Sequence, residues 1–133
     1  MKNGIFDLGM LLLRVAFGAA MAYHGYQKIF GGMMPQFVEG VGKMGFPMPE
    51  VFAWAAALSE FAGGIFLALG LFGRFAAFFI AVTMAVAAFV ALSAKPLSDK
   101  ELALAYLVIS SAFVMMGPGA LSVDGMRKGK SRK

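Results

Sequence analysis

Three stretches of apolar residues, Ile5–Tyr26, Val51–Phe72 and Phe75–Ser93, follow one another along the chain, and a shorter fourth, Leu102–Met116, closes the series. A helix needs about 20 mostly apolar residues to cross a bilayer core of about 30 Å. In lipid the backbone must satisfy its own hydrogen bonds, so blocks of this length fold as helices. Only 14% of the 133 residues are charged, against 60% hydrophobic, where soluble domains carry roughly 25% charge. A soluble domain of this size has no interior large enough for so much apolar surface. The expected fold is an all-α integral membrane four-helix bundle in contact with the lipid bilayer.

The joints refine the expectation. Ser98-Asp99-Lys100-Glu101 reads as a Ser-x-x-Glu capping box that starts the fourth helix early, and Gly117-Pro118-Gly119 ends it. The spans expected are then 5–26, 51–72, 75–93 and 99–117, in one domain over residues 1–126 with a basic tail at 127–133. Gly73-Arg74 leaves almost nothing between the second and third spans, so these form a tight antiparallel hairpin. Residues 27–50 make a longer connection. Within it Phe37, Val38 and Val41 fall at helical spacing opposite Gln36, Glu39 and Lys43, the pattern of a short helix lying on the membrane surface; the alternative is a disordered loop.

Basic residues near the span ends set orientation. With four spans, the side holding both termini collects Lys2, Arg74, Arg127, Lys128, Lys130, Arg132 and Lys133. The opposite side has Lys28, Lys43, Lys95 and Lys100, nearly balanced by Glu39, Glu50, Asp99 and Glu101. Both termini are therefore expected in the cytoplasm, with the protein in the cell (inner) membrane. The basic tail fits topology and anionic lipid, and no nucleic-acid partner is expected. Lys2 and Ala20-Met21-Ala22 resemble a cleavable leader, but Arg14 interrupts the apolar region such leaders keep free of charge.

Arg14 and Glu60 are charges at membrane depth, where even the lenient insertion scale sets a cost of about 2.5–3.5 kcal/mol. Such residues face the bundle interior and pair, so Arg14 and Glu60 are expected within reach of each other. Arg14, Gly18, Met21, Gly25 and Lys28 share one stripe of the first helix, with His24, the only histidine, on its flank. His24 and Lys28, four apart, lie on one face. Two readings stay open. In one, these residues anchor and register the bundle. In the other, His24 and Lys28 form the polar lip of a pocket floored by Gly25, Gly63 and Gly64, with Glu60 behind them as a proton relay. Close helix packing is the plainer account of the glycines. Tyr23, Tyr26, Trp54 and Tyr106 sit near outer helix ends, as an aromatic belt does; Tyr106 alone is also placed to turn inward towards His24.

One histidine and no cysteine supply neither a zinc tetrad nor a two-histidine haem. No metal or haem is expected from this chain alone.

The ordered set Leu12-Leu13-Arg14, Gly18, His24-Gly25, Lys28 and Phe30-Gly31 resembles the first-helix signature of the DoxX family of small membrane proteins. The likeness continues in Gly45-Phe46-Pro47-x-Pro49, Glu60-x-x-Gly63-Gly64, Leu69-Gly70-Leu71 and Arg74-x-Ala76-Ala77. It ends in Glu101-x-Ala103, Tyr106 and Gly117-Pro118-Gly119-x-x-Ser122-x-Asp124, and so covers residues 11–124. The resemblance implies a four-helix membrane bundle. It also implies a loose association with redox systems, among them a thiosulfate:quinone oxidoreductase and partners of antioxidant and sulfur-transfer enzymes. It assigns no catalytic residues; Arg14, His24, Lys28, Glu60 and Tyr106 match the family's polar positions.

The leading expectation is a membrane subunit that binds a quinone-like lipid in respiratory, sulfur or oxidative-stress metabolism. The chain carries no redox group of its own, so electrons would come from a redox enzyme partner, and whether it is an oxidoreductase subunit stays open. The alternatives are an anchor or scaffold for such a partner and a small-molecule transporter, for which a homo-oligomer would build the pathway.

Overall fold

The computed structural model describes residues 3–131; Lys2, Arg132 and Lys133, counted above for orientation, lie outside them. The described chain is helical throughout, with α1 at Gly4–Phe30, α2 at Met34–Lys43 and α3 at Pro49–Leu69. Next come α4 at Gly73–Val86, prolonged by a π turn at Ala87–Ala91, then α5 at Leu97–Met116 and α6 at Val123–Ser131. α1, α3 and α4 with its π turn are long and apolar enough to cross a membrane. α5 matches them in length at 20 residues but carries Asp99, Lys100 and Glu101 in its first turns. Leu12, Phe75, Phe78, Val108 and Met115 are each more than half exposed, an outer surface that suits lipid and not water.

Local chemistry fixes the ends. The Asn3 side chain accepts from the amides of Ile5 and Phe6 at 3.2 and 3.3 Å, capping α1. α1 runs unbroken through Ala20-Met21-Ala22, with Met21 fully buried. α3 opens on Pro49, whose fixed φ suits a first helical position. It closes at Gly70, which is left-handed at φ 71°. There the amides of Gly70 and Leu71 return to the carbonyls of Leu67 and Phe66 at 2.9 Å each, a Schellman motif. The hairpin into α4 is tight, but its turn is Gly70, Leu71 and Phe72; Gly73 and Arg74, expected as the joint, already belong to α4.

The capping box is not formed. α5 starts at Leu97, one residue before Ser98, and no side chain caps it. Pro96 sits in the extended conformation ahead of the first turn and sets the start by its ring, placing Ser98 inside the helix. The basic segment at 127–133 is no separate tail at its beginning, since α6 starts at Val123 and is helical through Ser131.

α1 packs on α3, α3 on α4, and α4 on α5. Phe17 of α1 reaches across to α5, its ring 5.4 Å from Tyr106 and 6.3 Å from Phe113. With Met10, Met21, Leu67, Ile80 and Met84 these rings form the core. The α1–α3 seam is the closest. A Cβ on Gly25 would strike the backbone of Phe61, one on Gly64 the backbone of Ala22, and one on Gly18 that of Ala68. Successive turns thus meet backbone to backbone, in antiparallel register, as small residues permit in membrane helices.

That register decides which charges can meet. Continued from Gly25–Phe61, it carries Arg14 beyond the end of α3, about 12 residues and ~18 Å from Glu60 at 1.5 Å per residue.

α2 forms as the spacing predicted. Val41 is buried, Phe37 and Val38 are half-buried, and Gln36, Glu39 and Lys43 are exposed. It packs against α3, beyond the level at which α1 ends.

Candidate functional site

Lys28 stands in the last turn of α1, where a cation suits the helix dipole. Its side chain reaches α3, and its ammonium donates to both oxygens of Glu60, at 2.8 Å to Oε1 and 2.7 Å to Oε2. The ammonium also lies 4.4 Å from the centre of the Phe37 ring of α2, within cation–π range. The Glu60 side chain is 3% exposed and that of Lys28 20%. The pair is therefore a neutral polar unit with its carboxylate inside and its ammonium near the edge.

This pair closes one end of a cavity of about 420 Å³ between α2, α3 and α4. Phe37, Val41 and Met44 cover it from the α2 side. α3 contributes Phe52, Ser59 and Glu60, and α4 contributes Phe79, Val82 and Thr83. The hydroxyls of Ser59 and Thr83 donate to carbonyls one turn back, at 2.7 and 2.9 Å, so neither demands a partner from the cavity. Ala87 and Ala91 of the π turn complete the wall. There the Leu92 amide bonds to the Ala87 carbonyl at 3.0 Å, five residues back; such π insertions cluster at functional sites. The volume suits a small-molecule site, mostly apolar with a few convergent polar groups.

One expectation about charge pairing is corrected. Arg14 does not meet Glu60. Its Nε donates to the Ala68 carbonyl at 3.1 Å and its Nη1 to the Pro118 carbonyl at 2.7 Å. It is 3% exposed and ties α1 to the end of α3 and to the Gly117-Pro118-Gly119 turn. The cause is the helix register, which sets Lys28 and not Arg14 beside Glu60.

The pocket also lies elsewhere than expected. Gly25 and Gly64 are filled by the opposing backbone of the α1–α3 seam, and Gly63 meets Ile80 and Ala76 of α4. None of the three lines this cavity, although Gly63 lines the adjoining groove between α3 and α4. Nor do His24 and Lys28 share a lip. The His24 ring is 5.8 Å from Tyr106 of α5, edge to face, and 6.3 Å from Tyr23, and His24 does not line the cavity. The inward turn of Tyr106 is realised. Tyr106, His24 and Phe17 form an aromatic contact between α1 and α5.

Sequence reasoning missed two groups. The spacing marks Phe37 only as part of the apolar face of α2, and nothing in one sequence shows that its ring would cover the ammonium. Asp124 stands in the sequence only as the end of a motif. In the fold its Oδ1 and Oδ2 accept from the amides of Phe72 and Gly73 at 3.0 and 2.9 Å, at the N-terminus of α4. Its own amide donates to the Gly70 carbonyl at 2.9 Å.

Among known proteins, the family model described as DoxX matches residues 9–93. No curated protein matches the chain, and no solved structure does.

Proposed function

Because the chain belongs to the DoxX family, we propose that it is the membrane subunit of a redox system and holds a quinone-like lipid headgroup in the α2–α3–α4 cavity. The observation that carries this reading is the Lys28–Glu60 pair at one end of an otherwise apolar space of about 420 Å³. A quinone carbonyl asks for a hydrogen-bond donor, which the third N–H of Lys28 supplies. A reduced ring carries hydroxyls and asks for an acceptor, which Glu60 supplies. The pair is neutral as a unit, so it suits a neutral ring better than a carboxylate or phosphate. Aromatic side chains at Phe37, Phe52 and Phe79 offer faces to a flat ligand. A quinone takes up electrons and protons when reduced, and the electrons come from a partner protein.

In this reading α5 is the fourth span, α2 lies at the outer surface, and both termini are cytoplasmic. The test of the site uses purified protein in lipid nanodiscs and a benzoquinone ring as probe. Saturable binding weakened by Lys28→Met and unaffected by His24→Ala supports the site; equal binding by wild type and Lys28→Met overturns it. For orientation, cysteines placed at Gln36 and Ser131 of this cysteine-free chain should label from opposite sides with an impermeant reagent. Labelling of both from one side would overturn the topology.

A further inference from the structure

The cavity does not end at its apolar wall. Between α3 and α4, on their outward face, lies a groove of about 540 Å³ bounded by Leu58, Ala62 and Phe66 on one side and by Phe72, Phe75 and Phe79 on the other. Ser59 and Phe79 line both spaces, so the cavity and the outward groove adjoin at this pair. The Phe79 ring is 54% exposed and rests edge-to-face on Phe78, with centroids 5.8 Å apart. The Ser59 hydroxyl is spent on the Ala55 carbonyl, and the rest of the groove wall is apolar. From the Ser59–Phe79 level to the Phe66–Phe72 level the groove runs about 10 Å along the helices.

We infer that cavity and groove form one site for a single-tailed amphiphile, which enters sideways from the bilayer past Phe79. Its compact neutral head lies at Lys28–Glu60 and its apolar tail lies in the α3–α4 groove. The inference rests on the cavity reading above and adds the seat of the tail and its route. A polar head gains nothing in the groove, where no unsatisfied donor or acceptor faces it. A tail gains nothing at the ammonium. The order of the two spaces along α3 therefore fixes the ligand's orientation. In lipid a tail is not driven into the groove by water, so the gain comes from close packing. Shape at Ala62 and Phe79 then decides fit.

The test uses two probes, a benzoquinone bearing a decyl tail and the same ring with methyl in its place, in the same nanodiscs. Ala62→Phe plugs the groove without touching Lys28 or Glu60. It should weaken the decyl compound several-fold relative to wild type and leave the methyl compound unchanged; each comparison is of one compound between two proteins, so its partitioning into lipid cancels. As a second readout, Ala62→Cys should react with a lipid-soluble maleimide, and the decyl compound should protect it while the methyl compound does not. If neither compound binds the wild type, the cavity reading fails. If both bind, but Ala62→Phe lowers them equally or spares both, or Ala62→Cys gains no tail-dependent protection, the groove is not the tail site and the cavity reading stands.

Discussion

Lys28 and Glu60, 32 positions apart in sequence, share an ammonium–carboxylate contact through both carboxylate oxygens, at 2.8 and 2.7 Å. The two partners are unequally placed, because the Glu60 side chain is 3% exposed and that of Lys28 is 20% exposed. Their removal should have unequal consequences.

Lys28→Met leaves the Glu60 carboxylate buried without a counter-charge, and breaking one side of a buried pair costs about 3–5 kcal/mol. Glu60→Gln leaves an ammonium that can swing its long stem towards water, and the loss should be nearer the about 1–3 kcal/mol of an unsatisfied polar group. Thermal unfolding in detergent should therefore rank Lys28→Met below Glu60→Gln. The double variant should recover part of the loss. Equal single effects that simply add would mean that the pair is not formed in the protein.

Arg14 should act independently of that pair. Arg14→Met leaves the Ala68 and Pro118 carbonyls without a donor, at about 1–3 kcal/mol for each buried group left unpaired, and Arg14→Lys should restore part of this. Sites without shared partners add to within about 0.3–0.5 kcal/mol, so Arg14→Met combined with Glu60→Gln should show the sum of the two single losses. A coupling well above that limit would put Arg14 and Glu60 back in contact.

The seam glycines separate by what opposes them. Gly25→Ala and Gly64→Ala place a methyl against the backbone of Phe61 and of Ala22, and a backbone cannot move aside as a side-chain tip can. Both should lower the melting temperature strongly. Gly9→Ala meets nothing within 4 Å and should be neutral or stabilise by up to about 1 kcal/mol, since alanine is the better helix former. A Gly25→Ala variant as stable as wild type would disprove the α1–α3 register on which the charge pairing rests.

The sequence shows the helices plainly and the pairing poorly. Apolar length marks α1, α3 and α4, and the alternation of Phe37 and Val41 with Gln36 and Glu39 marks α2. Both are local patterns. The partner of Glu60 is not local, because it depends on helix register to within one turn, and that register is set by where Gly18, Gly25 and Gly64 meet the opposing backbone. Arg14 and Lys28 lie on the same stripe of α1, so periodicity alone offers both to Glu60. The cavity was legible only in its polar end. Its walls come from three helices and a π turn whose residues, Ala87 and Ala91, carry no chemical signal of their own.

Asp124 offers the last test, because it joins the segment after α5 to the α3–α4 hairpin. Its carboxylate accepts from the amides of Phe72 and Gly73, where α4 presents unpaired N–H groups and the positive end of its dipole. Phe72 is held there in the left-handed region at φ 49°, which for a residue with a Cβ costs of order 1–3 kcal/mol. Asp124→Ala removes the cap and should cost about 0.5–2 kcal/mol, the range for losing a side-chain cap. Phe72→Gly relieves the backbone at the loss of a half-exposed ring whose centre lies 5.9 Å from the Arg127 guanidinium. It should therefore offset part of the Asp124→Ala loss when the two are combined. Asp124→Asn keeps one acceptor oxygen but loses the charge, and should fall between Asp124→Ala and wild type. If Asp124→Ala melts like wild type, the carboxylate does not hold the α3–α4 hairpin.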